Sequence, residues 1–415
     1  MWMRKAVFLI VLILALLACA QAQDIRIVVG SDLHYLSPEL IEDEALLRRV
    51  VYASDSKLTH YTSVISEAFT EEVAALHPDA VILSGDLTFS GAFESHAGLI
   101  ALLSSLQEDG IPVLALSGNH DAPGTAYRFV NGITEEIAGM RDEDFHAAYY
   151  AFGPESALSR DTVSFSYTYA LNEKLWILLI DVNTNGSPNR VREETLAWVE
   201  SQLAAARENG AAVISVTHQT LLNQDPLYGH LYQFENAKEL LALLQEYGVH
   251  LHLSGHMHMQ HITASGDLHE IASSALSVWP CQYGIITIRE DGSVHYEAQP
   301  VDVGSWAHVH GVTNEELLDF ARYSENSFNS DSRRASTISV YGSGANKAEQ
   351  RLMLEYKAIF NAEMFSGRHT DHTQDTEAIS LWQRYFPDSF TTRYMEAELS
   401  RPVVDMTKLD LPSLY

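Results

Sequence analysis

The chain contains only two cysteines, Cys19 and Cys281, among its 415 residues. This scarcity excludes both the disulfide framework of small secreted domains and a zinc site built from four cysteines. Hydrophobic residues make up 46% of the chain, and a chain of this size can bury about 75% of its unfolded surface. We therefore expect its stability to come from a large hydrophobic core.

Basic residues are also scarce. The chain has 26 Lys and Arg residues against 55 Asp and Glu residues, which gives a formal net charge of -29. Binding to nucleic acid depends on contacts between basic side chains and phosphates, and no Lys/Arg cluster offsets the acidic total. We therefore expect no nucleic-acid partner.

A membrane-spanning segment of typical length is missing as well. The N-terminal apolar stretch, Ala6–Ala18, is shorter than the roughly 20 residues that cross a bilayer. Arg4 and Lys5 supply a positive start, and Ala20-Gln21-Ala22 provides small residues at a cleavage site. We therefore predict that residues 1–22 are a signal peptide and that the protein is exported.

The predicted signal peptide has two possible ends. Leu16-Leu17-Ala18-Cys19 resembles a bacterial lipobox, in which the cysteine is acylated and becomes the new N-terminus. Soluble secretion and a lipid anchor on Cys19 are therefore alternatives. In either case Cys281 has no second cysteine to pair with.

Five short polar motifs occur in order along the chain. They are Asp32-x-His34, Gly85-Asp86, Gly118-Asn119-His120-Asp121, His218 and Gly255-His256-x-His258. Imidazole and carboxylate ligands suit Zn, Mn and Fe, whereas an all-oxygen set would favour Mg or Ca. In the D-x-H and H-x-H motifs the two ligands are two residues apart, so on an extended strand end they would point to the same side. Each motif is weak evidence alone, but their ordered combination predicts a two-metal site.

Each motif also follows a short apolar run. The runs are Ile25–Val29, Ala80–Leu83, Pro112–Leu116, Ala212–Val216 and Val249–Leu253. Short apolar runs bounded by Gly and Ser are typical of strands in a sheet that is covered on both faces. Ligands of open α/β sheets bind beyond the carboxyl ends of the strands, so we expect all five motifs to meet at one sheet edge. The glycines before Asp86, Asn119 and His256 would allow a close approach of the backbone.

From Ile25 to about Pro300, the motif series resembles that of the calcineurin-like metallophosphoesterases. This resemblance implies an α/β fold: a four-layer sandwich of two mixed β-sheets flanked by helices. It also implies two metal ions, which the ligand types allow to be Fe, Mn or Zn. The residues that match ligands of the first metal are Asp32, His34 and His258. Those that match ligands of the second metal are Asn119, His218 and His256.

The resemblance also assigns the remaining motif residues. Asp86 matches the carboxylate that bridges both metals, and His120 matches the catalytic histidine, with Asp121 beside it to orient the imidazole. A metal pair can turn water into hydroxide near neutral pH and clamp the reacting phosphate. His120 would then act as the general acid that protonates the departing alkoxide.

The family motifs stop at about Val303, so the resemblance implies a catalytic domain over residues 23–303, which is followed by a mainly helical C-terminal extension over residues 304–415. Helices are predicted at Glu42–Tyr52, Thr62–Leu76, Glu94–Glu108, Arg192–Glu208 and Ala237–Tyr247, and in the extension at Thr313–Tyr323, Lys347–Phe365 and Thr376–Phe386. The Ser/Asn-rich stretch Ser324–Ser343 is predicted to be a loop. A hairpin is expected at Thr162–Leu171 and Leu175–Asp181, and a later meander at Leu268–Ser273, Tyr283–Arg289 and Val294–Pro300. We expect the extension to pack on the catalytic domain.

Three functions remain compatible with the sequence. The leading one is an exported hydrolase of small-molecule or lipid phosphodiesters. The second is a phosphomonoesterase or nucleotidase with the same metal site. The third, from another class, is a surface binding protein that retains a vestigial metal site.

Overall fold

Two mixed β-sheets form the centre of the molecule. The computed structural model describes residues 24–54, 56–183, 189–368 and 376–414, so the predicted signal peptide and Cys19 lie outside the described residues. In the six-stranded sheet the strands lie in the order Lys408–Leu411, Val294–Pro300, Gln282–Ile288, Ile25–Gly30, Ala80–Leu83 and Val113–Ala115. In the seven-stranded sheet the order is His261–Ser265, Leu268–Ala272, Leu251–Ser254, Ala212–Val216, Leu175–Leu179, Tyr167–Asn172 and Ser159–Arg160. A separate hairpin pairs Thr125–Val130 with Ile133–Ala138.

The strands are β1 (Ile25–Gly30), β2 (Ala80–Leu83), β3 (Val113–Ala115), β4 (Thr125–Val130), β5 (Ile133–Ala138), β6 (Ser159–Arg160), β7 (Tyr167–Asn172), β8 (Leu175–Leu179), β9 (Ala212–Val216), β10 (Leu251–Ser254), β11 (His261–Ser265), β12 (Leu268–Ala272), β13 (Gln282–Ile288), β14 (Val294–Pro300) and β15 (Lys408–Leu411). The helices are α1 (Glu44–Ser54), α2 (Thr62–Leu76), α3 (Phe93–Glu108), α4 (Asp142–Ala148), α5 (Glu193–Asn209), α6 (Ala237–Glu246), α7 (Val303–Val309), α8 (Glu315–Leu318), α9 (Phe320–Tyr341), α10 (Lys347–Ser366), α11 (Thr376–Tyr385) and α12 (Phe390–Leu399). Among these residues no helix has both the length and the apolar character that a membrane crossing needs.

The predicted α/β sandwich is confirmed, and its layers follow from which residues are apolar. One buried cluster joins strands of both sheets, such as Val28 and Ile214, with Phe69 of α2 and Leu103 of α3. A second cluster packs the other face of the seven-stranded sheet against α5 and α6. All four residues of β2 are buried, as expected for a strand covered on both faces.

The predicted meander is wrong in one strand. Leu268–Ala272 pairs with β10 and β11 in the seven-stranded sheet. Gln282–Ile288 and Val294–Pro300 pair with each other in the six-stranded sheet. The chain changes sheets between them because Gln282–Ile288 also pairs with β1, a long-range partner that local pattern does not reveal. The predicted hairpin of β7 and β8 is confirmed.

The Ser/Asn-rich stretch is a helix, so the predicted loop over Ser324–Ser343 is wrong. All but its last two residues lie within α9, in which buried residues recur every four positions. These residues are Phe320, Ser324, Phe328, Ser332, Ser336 and Val340. The small serines let α9 lie close to α10, where Asn361 donates to Ser332 Oγ at 3.3 Å. Tertiary packing outweighs the weak helix propensity of serine and asparagine here.

The C-terminal residues contact the rest of the molecule at two places. Helices α10, α11 and α12 share a buried cluster with Tyr228, in the loop after His218, and with Met257 and Met259, which lie within and directly after the H-x-H motif. Strand β15 joins the edge of the six-stranded sheet beside β14. The domain boundary predicted at residues 303 and 304 falls in the first turn of α7, and the division there stays a prediction.

Candidate metal centre

Left-handed backbone conformations mark the ends of the ligand-bearing strands. Asp32, His34, Asp86, His256 and His258 have φ values of 51°, 44°, 49°, 67° and 60°. Such values are rare for residues other than glycine and cost on the order of 1–3 kcal/mol each. The D-x-H and H-x-H pairs therefore do not lie on extended strand ends, and the prediction that extended geometry aligns them is wrong.

Hydrogen bonds from neighbouring loops hold these conformations. Asp32 N donates to Gly85 O and His34 N donates to Asp86 O, both at 3.0 Å. These two bonds join the loops that follow β1 and β2. The ligands of adjacent strands are thus fixed by main-chain contacts, which compensate for the unusual φ values.

The two carboxylates each use one oxygen for positioning. Asp86 Oδ1 accepts from His120 N at 2.8 Å. Asp32 Oδ2 accepts from Ser31 Oγ at 2.6 Å and from His256 N at 2.9 Å. The other oxygen of each carboxylate is thereby turned toward the histidine rings.

Two glycines are required by close packing within the site. A Cβ atom on Gly118 would overlap the backbone nitrogen and carboxylate of Asp86. A Cβ atom on Gly255 would overlap Ser31 Oγ and the Asp32 carboxylate. The close backbone approach predicted at these motif glycines is confirmed.

Four ligand atoms form the first cluster. Asp32, His34, Asp86 and His258 each offer one ligand atom, and these atoms all lie within 4.8 Å of one another. His258 Nε2 lies 3.3 Å from both Asp32 Oδ1 and His34 Nε2. His34 Nε2 lies 3.7 Å from Asp86 Oδ2. Ligands about 2.1 Å from one ion are separated by roughly 3–3.4 Å, so the spacing fits a shared metal.

The second cluster shares Asp86 with the first. Asp86, His218 and His256 also bring their ligand atoms within 4.8 Å, and His218 Nε2 lies 3.3 Å from Asp86 Oδ2. His218 Nδ1 donates to the Ser84 carbonyl at 2.9 Å, which fixes the ring so that Nε2 faces the site. Asp86 is therefore placed to bridge two ions.

Buried atoms without partners show that the clusters fit metal ions. Among the described residues, Asp32 Oδ1 and His218 Nε2 are buried and accept or donate no hydrogen bond. A buried polar atom without a partner is costly, and both atoms point into the clusters. Nitrogen and oxygen ligands of this kind suit Zn, Mn or Fe, so the residues present fit the predicted pair of ions.

The electrostatics of the site depend on Asp86. Burial alone would raise the pKa of Asp86, but the neighbouring His218, His120 and His34 hold it well below its usual value. Burial likewise opposes the charged form of His218, yet the Asp86 carboxylate raises the pKa of His218 to about 9. A metal ion would replace this proton, because metal-binding imidazole must be neutral.

His120 lies at the mouth of the site. Its Nε2 lies 3.9 Å from Asp86 Oδ2, and its ring centroid lies 4.7 Å from that of His34. The ring is partly exposed, and Asn119 beside it is exposed. His120 is thus accessible to a substrate that sits on the two clusters.

The orienting role predicted for Asp121 is wrong. His120 Nδ1 donates to the carbonyl of Phe89 at 2.8 Å. The Asp121 carboxylate is buried and accepts from Leu87 N, Thr88 N and Gly118 N, at 3.1, 2.8 and 2.8 Å. These three backbone donors occupy the Asp121 carboxylate. Asp121 therefore holds together the loops that carry Asp86 and Asn119 and does not orient the imidazole of His120.

Two groups that support the site could not be identified from the motifs. The Phe89 carbonyl orients His120, and any residue type could supply a carbonyl. Glu270 is buried and accepts from Leu221 N at 2.8 Å and from Ser254 Oγ at 2.6 Å. It thereby joins the loop after His218 to the end of β10. The only sign of this role in the sequence is the position of Glu270 within the mainly apolar strand β12.

The chain is similar to known proteins over two ranges. Residues 25–260 match the family model described as calcineurin-like phosphoesterase. Residues 302–401 match the model described as the C-terminal domain of cyclic nucleotide phosphodiesterase. A Moraxella catarrhalis (strain BBH18) protein named "Probable cyclic nucleotide phosphodiesterase" is 27% identical over 199 residues, which cover 47% of this chain and 64% of that protein.

Two solved structures of phosphatases align with part of the chain. A dimetal phosphatase from Danio rerio aligns with a TM-score of 0.47 and 14% identity, over 66% of this chain and 96% of its own. A purple acid phosphatase from yellow lupin (Lupinus luteus) aligns with a TM-score of 0.42 and 14% identity, over 68% of this chain and 52% of its own.

Proposed function

The chain belongs to the calcineurin-like phosphoesterase family, and we propose that it is a metal-dependent hydrolase of phosphodiesters. We propose cyclic nucleotides as the substrate class. This is supported by the match of residues 302–401 to a cyclic nucleotide phosphodiesterase domain and by the name of the Moraxella relative. The observation that carries the proposal is the pair of ligand clusters that share Asp86.

The proposed first site consists of Asp32, His34, Asp86 and His258. The proposed second site consists of Asp86, His218 and His256, with Asn119 as a further ligand. Bound ions would neutralise the phosphate charge and activate a water molecule as the nucleophile. The protein fixes the ligands through main-chain bonds at the strand ends, so little reorganisation is needed when the substrate arrives.

His120 is the proposed general acid. Its Nδ1 proton is donated to the Phe89 carbonyl, so the proton delivered to the leaving oxygen comes from Nε2. The partly exposed ring can reach a substrate without leaving this hydrogen bond. Asp121 contributes by holding the loop on which His120 lies, through its bonds to Gly118 N and Thr88 N.

Export is part of the proposal and rests on residues 1–22 of the sequence. Cleavage after Ala22 and acylation of Cys19 give different products. Mass spectrometry of the mature N-terminus in a bacterial host distinguishes them.

The activity is tested on matched diesters and monoesters. Protein freed of metal with a chelator is reloaded with Mn²⁺, Zn²⁺ or Fe²⁺. It is then assayed on bis(p-nitrophenyl) phosphate against p-nitrophenyl phosphate, and on 3′,5′-cyclic AMP against 5′-AMP. We expect kcat/KM to be at least about tenfold higher on the diesters, because the site must favour the diester transition state.

Each contrary outcome excludes a part of the proposal. A higher kcat/KM on the monoesters would exclude the diesterase and favour a nucleotidase. No turnover with any of the metals, together with tight binding of cyclic AMP, would favour a binding protein.

A further inference from the structure

Aromatic rings connect the metal centre to the C-terminal helices. The Tyr232 ring lies 5.8 Å from that of the predicted ligand His256, at an interplanar angle of 73°. Tyr228 lies 5.9 Å from Tyr232 and 5.0 Å from Tyr394 of α12, in edge-to-face geometry. Tyr394 in turn lies 5.2 Å from Phe360 of α10. We call Tyr232, Tyr228, Tyr394 and Phe360 the aromatic wall.

The loop that carries Tyr228 and Tyr232 is anchored at Asp225. The Asp225 carboxylate accepts from Leu227 N at 2.7 Å and from Tyr228 N at 2.9 Å, and its carbonyl accepts from Gly229 N at 2.9 Å. Arg401, just beyond α12, lies 3.9 Å from the same carboxylate. Two residues of the C-terminal region therefore contact this loop: Arg401 at Asp225 and Tyr394 at Tyr228.

Tyr232 is the member of the wall whose ring contacts a predicted metal ligand, and the residue is partly exposed. Tyr228 behind it is 8% exposed and supports it from the protein side. Tyr232 lies beside His256 of the second cluster, whereas His120 lies beside His34 of the first cluster. The proposed general acid and the partly exposed tyrosine thus contact different histidines of the site, His34 and His256.

We propose that Tyr232 is a specificity-determining residue that stacks on a nucleobase carried by the phosphodiester substrate. We further propose that the C-terminal helices position it through Tyr394 and Tyr228. This inference rests on the proposed phosphodiesterase function. In a linear nucleotide diester, the group that departs at His120 is separate from the nucleoside that stays on the phosphate, and that nucleoside would extend toward Tyr232. In a 3′,5′-cyclic nucleotide the P–O3′ bond breaks with both oxygens on one ribose, whose base would extend toward Tyr232. Every base has a π-face that an aromatic ring can stack on.

Two substrates with the same leaving group test the inference. The p-nitrophenyl ester of thymidine 5′-phosphate carries a base, and methyl p-nitrophenyl phosphate does not. For Tyr232→Ala we expect the ratio of kcat/KM on the thymidine ester to that on the methyl ester to fall about tenfold, mainly through KM. Tyr232→Phe should keep the wild-type ratio, because the ring is retained.

A matched pair of variants tests the role of the C-terminal helices. Tyr394→Ala should lower the same ratio severalfold, because Tyr394 packs on Tyr228 and Tyr228 packs on Tyr232. Tyr385→Ala is the control, because Tyr385 is also partly buried and packs on the same cluster but does not belong to the wall. Its ratio should equal that of the wild type. Metal content per chain, measured by mass spectrometry, should be unchanged in all four variants.

The outcomes separate this inference from the proposed function. If the wild type with Mn²⁺, Zn²⁺ or Fe²⁺ hydrolyses neither ester, the proposed function fails. If it hydrolyses both and Tyr232→Ala leaves the ratio unchanged, Tyr232 does not select the substrate. If Tyr232→Ala lowers the ratio but Tyr394→Ala and Tyr385→Ala behave alike, the positioning role of α12 is overturned.

Discussion

The metal centre and the aromatic wall lie side by side but are held by different forces. The proposed ligands Asp32, His34 and Asp86 lie in loops that are joined by main-chain hydrogen bonds. The wall is held by ring packing between Tyr228 and Tyr394, which are distant in sequence. Main-chain bonds at strand ends give a rigid site, whereas ring packing from a separate helix can vary without disturbing that site. We therefore expect substitutions in the aromatic wall to change the substrate preference and to leave the metal centre intact.

The largest effect should come from Asp86, which both clusters share. Replacing Asp86 with Ala removes the carboxylate that both clusters share and that lies 3.3 Å from His218 Nε2. We expect loss of at least one metal per chain and a fall in kcat of more than about a thousandfold. Metal analysis and bis(p-nitrophenyl) phosphate turnover measure both effects.

The exposed Asp267, in the turn before β12, provides the control. Asp267→Asn should match the wild type in metal content and in rate. Full metal content in Asp86→Ala would show that neither cluster needs the shared carboxylate to hold its metal. The metal centre would then not be the rigid unit with which the aromatic wall is compared.

His120→Ala should have the next largest effect, and a selective one. Because His120 is the proposed general acid, turnover of 3′,5′-cyclic AMP, which has an alkoxide leaving group, should fall about a hundredfold or more. Turnover of bis(p-nitrophenyl) phosphate should fall much less, since nitrophenolate leaves without a proton.

Metal content should be retained in His120→Ala, and His308→Ala, which alters an exposed histidine of α7, should behave as wild type. Equal losses on both substrates would argue that His120 supports the metal centre instead of the leaving group.

The smallest effect concerns the support of the wall. Burial, together with a hydrogen bond to Asp225, raises the pKa of Glu398 to about 7. Since this pKa is above the unfolded value, the stabilisation is fully present below about pH 4.5 and is lost as the pH rises through about 7. We expect the free energy of unfolding to fall by about 2 kcal/mol from this group between pH 5 and pH 8.

Glu398→Gln keeps a donor toward Asp225 and cannot ionise, so its unfolding free energy should depend less on pH than that of the wild type. Urea denaturation at several pH values measures the difference. Glu355→Gln, at an exposed glutamate paired with Arg333, should retain the wild-type dependence. The same slope in Glu398→Gln and the wild type would remove this carboxyl from the support of the wall.

Local pattern was sufficient where one segment carries its own signal. The helix Thr62–Leu76 and the strands Ala80–Leu83 and Ala212–Val216 have the bounds that were predicted. Pattern failed where a distant partner decides the outcome. Leu268–Ala272 joins a different sheet from Gln282–Ile288, and the serine-rich α9 is stabilised by its packing against α10.

The sequence by itself determined the types and the order of the proposed ligands. The single sheet edge predicted for them is wrong, because the strands before Asp32, Asp86 and Asn119 belong to the six-stranded sheet and those before His218 and His256 belong to the seven-stranded sheet. Motif residues and the apolar runs before them are neighbours in the chain, so short-range geometry brings each ligand to its strand end. Tertiary structure alone decided that Phe89 orients His120, that Asp121 supports a loop, and that Tyr232 borders the site. These roles depend on which surfaces meet across long sequence separations, and such meetings leave no periodic signal in the chain.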